Sequence, residues 1–120
     1  MNCFQDRLTA LRRDFHRRPE LGFQEDRTRA KVAEHLRSLG LEVHEGAGVV
    51  GLLRAGTGNR AIGLRADMDA LPITETSTHG YVSETPGKMH ACGHDGHMSM
   101  LLGAAERLVQ EQSFDGTVVF

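Results

Sequence analysis

The stretch GHDGHMSMLLGAAERLVQEQSFDGTVVF, residues 93–120, decides the fold. From about Gly96 to Gln112 it repeats apolar residues at helical spacing, with Met98, Leu101, Leu102, Ala105, Leu108 and Val109 on one face. FDG then turns the chain, and TVVF starts a strand. Upstream, AIGLRA (residues 61–66) is an apolar run of strand length. A strand, a helix and a second strand in that order predict a crossover with the two strands parallel. In such a unit, groups just past the first strand and at the N-terminus of the helix come to one sheet edge, where ligands bind. Asp67 and Asp69 follow the first strand, and Cys92, His94 and His97 lie just before or at the start of the helix. Two polar clusters distant in sequence are therefore expected to converge.

Toward the N-terminus, Phe4, Leu8, Leu11 and Phe15 recur at helical spacing and predict an amphipathic first helix. Pro19 and Gly22, in RRPELG, end it. A second helix is expected from about Glu25 to Leu39, with Val32, Leu36 and Leu39 as its buried stripe and Gly40 as its C-terminal cap. LEVHE, VVGLLRA and AIGLRA then read as three strands. The turn residues GTGN between the last two predict that these two form a hairpin. The order α-α-β-β-β-loop-α-β is that of an α/β fold. Residues 67–92 lack clear periodicity, and irregular segments of that length are usually functional or disordered.

A chain of 120 residues makes one small domain. With 39% hydrophobic and 25% charged residues its composition is that of an ordinary globular protein. A net charge of −2 supplies no basic field for nucleic acid. No apolar run reaches the length of a membrane span, and the N-terminus lacks the apolar core of a secretory signal. Cys3 and Cys92 lie far apart, so a disulfide framework is not expected and a reducing cytoplasm fits. Cys3 has no evident partner.

GAGVVG (residues 46–51) has the GxGxxG pattern of dinucleotide sites, but strand and turn follow it rather than the helix that would hold a pyrophosphate. It reads as a glycine-rich turn. In RADMDALP, Asp67 and Asp69 are two apart and share one side of an extended chain. Two such charges need a cation or hydrogen bonds to offset their repulsion, or they belong to a solvated turn. MHACGHDGHM (residues 89–98) offers a thiol and imidazoles, the donors that zinc and related ions prefer. Gly93 and Gly96 allow the backbone to bring Cys92 and His94 to one point. Asp95 is a candidate helix N-cap or a partner that fixes a ligand imidazole, and His90 is a candidate for the second of these roles. A closed structural zinc site would need paired ligand spacing that is missing here. A nucleophilic cysteine with a histidine base and a plain polar loop are the other readings, and an incomplete metal site drawing ligands from elsewhere is favoured. His16 is read as tying down the turn after the first helix. His35, His44 and His79 are read as surface or packing residues.

LRRDFHRRPELGFQE, GLRADMDALPI and MHACGHDGHMSMLLGAA together resemble the N-terminal part of a family of metal-dependent amidohydrolases. That family includes hippurate hydrolases, N-acyl-amino-acid amidohydrolases and the enzymes that cleave auxin conjugates. The resemblance implies a three-layer, zinc-peptidase-like α/β catalytic domain with a mixed sheet, of which residues 1–120 are an incomplete N-terminal portion. It implies two divalent metal ions, of zinc, manganese, cobalt or nickel, and hydrolysis of the amide bond of small N-acyl amino acids. Cys92 and His94 match the family's metal-binding pair, Asp69 matches the aspartate that orients the metal site, and Asp67 lies close to it. An inserted α+β domain, through which family members often form homodimers, is not in this sequence. Nor are the adjacent glutamates that follow a strand like GTVVF in the family, one a general base and one a ligand, or two later histidines. The chain alone is therefore expected to be inactive and, with its last strand only begun, a poor folder. A non-catalytic metal-binding or dimer-partner role is the alternative. No nucleic-acid or membrane partner is expected.

Overall fold

The computed structural model describes residues 3–120. Their elements are helix α1 (Phe4–Arg17), helix α2 (Asp26–Ser38), strands β1 (Glu42–Glu45), β2 (Val49–Ala55) and β3 (Ala61–Gly63), helix α3 (His94–Glu111) and strand β4 (Gly116–Val119). The chain divides into two compact units. One holds the residues through Thr28 with Ala66–Met100, and the other holds Arg29–Arg65 with Leu101–Phe120.

The second unit carries a four-stranded mixed sheet in the order β1-β2-β4-β3. β3 and β4 are parallel, with Ile62 opposite Val118, and α3 lies between them in the chain. The expected α/β crossover is therefore present. The expected hairpin between β2 and β3 is not. β2 pairs with β1 across the glycine turn at residues 46–48 and with β4 on its other side, antiparallel in both cases. β4 takes the central place because its Val118 and the following Phe120 are apolar and buried, whereas all three residues of β3 are exposed. The GTGN segment thus spans β4 instead of closing a tight turn. Asp115 holds it there: its Oδ1 accepts the amides of Thr57 and Gly58, each at 2.8 Å. Gly116, at φ 147°, permits a close approach, since a Cβ there would lie 2.5 Å from the Arg60 carbonyl oxygen. Val32, Ala33, Leu36, Leu41, Leu53, Ala55, Leu102, Ala105, Val118 and Phe120 form the buried apolar residues of this unit. Gly40, at φ 83°, caps α2 with its amide on the Arg37 carbonyl, as expected.

In the first unit, α1 starts at Cys3, whose Sγ accepts the Asp6 amide while the Asp6 carboxylate accepts the Cys3 amide. Cys3 thus has a local role that its sequence position did not suggest. Phe15 is fully buried. After the Pro19 break, Glu20 turns back onto the first turn of α2. Its carboxylate accepts the Arg27 amide, the Thr28 amide and the Thr28 hydroxyl at 3.2, 2.6 and 2.6 Å. The irregular block is ordered by backbone bonds. The Ala70 amide donates to the Glu20 carbonyl, and Leu71 and Met89 exchange both N–H···O bonds at 2.9 and 3.0 Å.

Candidate metal centre

The Leu71–Met89 pair closes the irregular block on itself and brings the two ends that carry the polar motifs together. Asp69 lies two residues before the clasp and His94 five residues after it. His94 Nδ1 lies 2.9 Å from the Asp69 carbonyl oxygen and 3.0 Å from its carboxylate Oδ1. Both oxygens only accept, so Nδ1 carries the proton. In the neutral ring this leaves Nε2 with a bare lone pair, and Nε2 faces Asp67 Oδ2 across 3.8 Å. That distance is too long for a hydrogen bond and suits an imidazole presented to a cation. Cys92, an exposed free thiol, lies two residues before His94. The donor chemistry, a soft thiol and an oriented imidazole beside a carboxylate, fits a divalent transition ion. The expected convergence of Asp67, Asp69 and His94 is present.

α3 begins at His94, two residues earlier than its apolar face predicts. Gly93, at φ 93°, precedes it, and the Gly93 carbonyl accepts the amides of Gly96 and His97. Asp95 is thereby in the first turn and is not the N-cap. Nor does it hold an imidazole of the Cys92–His94 pair. Buried to 1% exposure, its Oδ2 receives His16 Nδ1 at 2.8 Å and Arg12 Nε at 2.9 Å. His97 is exposed, its ring 5.9 Å from that of His94. His90 is buried, and both its ring nitrogens, like Asp95 Oδ1, lack a hydrogen-bond partner. Burial holds the His90 pKa below the usual imidazole range, against the opposing charge of Asp95.

Sequence reasoning misses a second cluster. His16, 2% exposed, sits between two carboxylates: Asp95 on Nδ1 and Glu75 on Nε2, the latter at 3.0–3.1 Å. His79 Nε2 reaches the same Glu75 oxygen at 3.1 Å, and its ring stacks on Tyr81 with centroids 3.7 Å apart. His16 therefore does more than tie down a turn, and His79 is only partly a surface residue. The one signal was the four-residue spacing of Glu75 and His79, which implies a shared face only on a helix. Here it falls in a loop.

Known proteins agree with this fold and these motifs. Residues 63–120 match the sequence profile of peptidase family M20/M25/M40. Thermostable carboxypeptidase 2 of Saccharolobus solfataricus is 48% identical over 112 residues, which is 90% of this chain and 28% of the relative. Hippurate hydrolase of Campylobacter jejuni is 46% identical over 117 residues, 95% of this chain and 30% of the relative. The crystal structure of Bacillus subtilis YXEP protein, described as a dinuclear metal binding peptidase from the M20 family, superposes with a TM-score of 0.93 at 38% identity. That match covers 98% of this chain and 34% of the other. The fold and motifs match those of M20-type α/β peptidase domains, and the family profile covers residues 63–120 of this chain. It spans about a third or less of the length of these relatives.

Proposed function

We propose that the protein carrying this chain hydrolyses the amide bond of small N-acyl amino acids at a centre of two divalent metal ions, and that these 120 residues supply one part of that centre. The observation that carries the reading is the orientation of His94 by Asp69, with Nε2 left facing Asp67. Cys92 and His94 would hold metal, Asp69 fixes the His94 ring, and Asp67 adds negative charge beside it. When bound, the ions would polarise the amide carbonyl and lower the pKa of water. The names of the relatives, a hippurate hydrolase and a carboxypeptidase among them, support amide substrates with a free amino-acid carboxylate. The similarity to YXEP, a dinuclear metal binding peptidase, supports a pair of ions.

The general base and remaining ligands would come from outside residues 1–120, which we take as the N-terminal portion of the catalytic domain. An inserted domain that forms a homodimer would also lie outside them. Cys3 and Cys92 are both free thiols, which fits a reducing compartment, and we place the protein in the cytoplasm. No helix among the described residues is long and apolar enough to cross a membrane.

The test is hydrolysis of benzoyl-glycine. The protein, stripped by chelator, should regain turnover with zinc, manganese, cobalt or nickel and lose it with Cys92→Ala or His94→Ala. Residues 1–120 alone should show none. Metal-dependent turnover by that segment, abolished by Cys92→Ala, would overturn the partial-site reading. Turnover untouched by chelation would overturn the metal reading.

A further inference from the structure

Three ligand-bearing side chains meet away from the Cys92–His94 pair. His16 Nε2, Glu75 and His79 Nε2 present atoms that all lie within 4.8 Å of one another, and theirs is the only such group of three or more among the described residues. His16 and Glu75 side chains are 3% and 2% exposed, while His79 is 33% exposed and leaves one side open. Both imidazoles point Nε2 at the same oxygen, Glu75 Oε2, at 3.0 and 3.1 Å. Ligands at about 2.0–2.1 Å around a tetrahedral ion stand roughly 3.3 Å apart, so the two spacings to Glu75 need little adjustment, and the two imidazole nitrogens lie within 4.8 Å of each other.

The hydrogen-bond logic at His16 is the decisive point. Both of its nitrogens face carboxylates, Asp95 and Glu75, and carboxylates only accept. Either both nitrogens carry protons or a cation stands between Nε2 and Glu75. The Asp95–His16 contact is the carboxylate–histidine pairing that orients metal-bound imidazoles, and Arg12 balances the Asp95 charge. His79 is held by its stack on Tyr81.

We propose that His16, Glu75 and His79 form a separate cation site that takes one borderline transition ion, such as Zn²⁺ or Co²⁺, with a fourth position open to water. The ion replaces the proton on His16 Nε2, which is released. At His79 the ring proton moves from Nε2 to Nδ1, at the expense of the contact from the Tyr81 amide to Nδ1, which at 3.3 Å is long for a hydrogen bond. That cost sets the affinity below that of a relaxed two-histidine, one-glutamate site.

The probe is Zn²⁺ titrated calorimetrically into protein with Cys3→Ser, Cys92→Ser and His94→Asn, in two buffers of different ionisation heat. Saturable binding of one equivalent is expected, with about one proton released per ion. Adding His79→Ala, a partly exposed position that leaves the His16–Asp95 pair intact, should weaken that binding at least tenfold, and Glu75→Gln should do the same. Circular dichroism establishes that each variant is folded. Absence of saturable binding in the parent variant, or binding unchanged by His79→Ala, would overturn the proposal. The His79→Ala and Glu75→Gln comparisons are made at residues that have no part in the proposed hydrolase centre, so failure here and failure of the hydrolase reading are distinguishable.

Discussion

His94 and Asp69 lie 25 positions apart, yet a single ring nitrogen of His94 is engaged by both the backbone and the side chain of Asp69. The carbonyl fixes where the imidazole sits, and the carboxylate fixes how it is turned. Replacing Asp69 by Ala removes only the second contact. Metal affinity at the Cys92–His94 pair should then fall by about 10- to 100-fold, the usual cost of losing an outer partner of a ligand histidine. Zinc competition with a chromogenic chelator measures this. Asp69→Asn should lose less, since its amide oxygen can still accept.

Glu20 predicts a stability effect at the start of α2. Its carboxylate satisfies two amides and a buried hydroxyl at the start of α2, and Thr28 is 0% exposed. Glu20→Ala leaves those donors without a partner and should cost about 2 kcal/mol, in the range for hydrogen bonds to a charged group. Denaturant unfolding should show a lower midpoint at unchanged slope.

Glu75 predicts an acid limb. Burial alone would raise its pKa, but hydrogen bonds from His16, the Ser83 amide and Ser77 outweigh it and hold the carboxyl at about 2, against 4.5 for an ordinary glutamate. A folded pKa below the unfolded one means stability that is complete above about pH 4.5 and lost as pH falls toward 2. His35, whose pKa burial depresses, works in the same direction from about pH 6.5 downward, because folding favours its neutral form. Thermal melts in chelator should show Tm falling with acid. Glu75→Gln should flatten that fall below pH 4.5 and leave the limb near pH 6 in place.

Gly116 predicts a steric limit on the sheet. A methyl there meets the Arg60 carbonyl, and the backbone sits at φ 147°. That carbonyl also accepts the Thr117 amide at 2.9 Å, so it cannot withdraw without breaking the β3–β4 connection. Gly116→Ala should cost about 1–3 kcal/mol, read as a lower Tm.

The crossover was legible because AIGLRA and TVVF are apolar runs, the segment between them carries a strong helical period, and parallel strands need a long connection. From that topology the meeting of Asp67 and Asp69 with His94 followed. Strand order was not legible. GTGN has the composition of a tight turn, but nothing local records that Asp115, 57 residues after Gly58, would hold it open across β4. The His16 cluster was hidden for a related reason. Its members come from a helix, a loop and the first turn of another helix, and none is marked by periodicity. The Cys92–His94 motif stands out because its candidate donors lie two positions apart in sequence, whereas His16 and Asp95 stand 79 positions apart.

The exchange of two backbone hydrogen bonds between Leu71 and Met89 has a consequence for inheritance. What holds Asp69 near His94 is main chain, common to every amino acid but one. Positions 71 and 89 can therefore drift through many side chains without disturbing the centre. Only proline, which has no N–H to give, would unfasten it, leaving every residue of the motif in place and the motif itself undone.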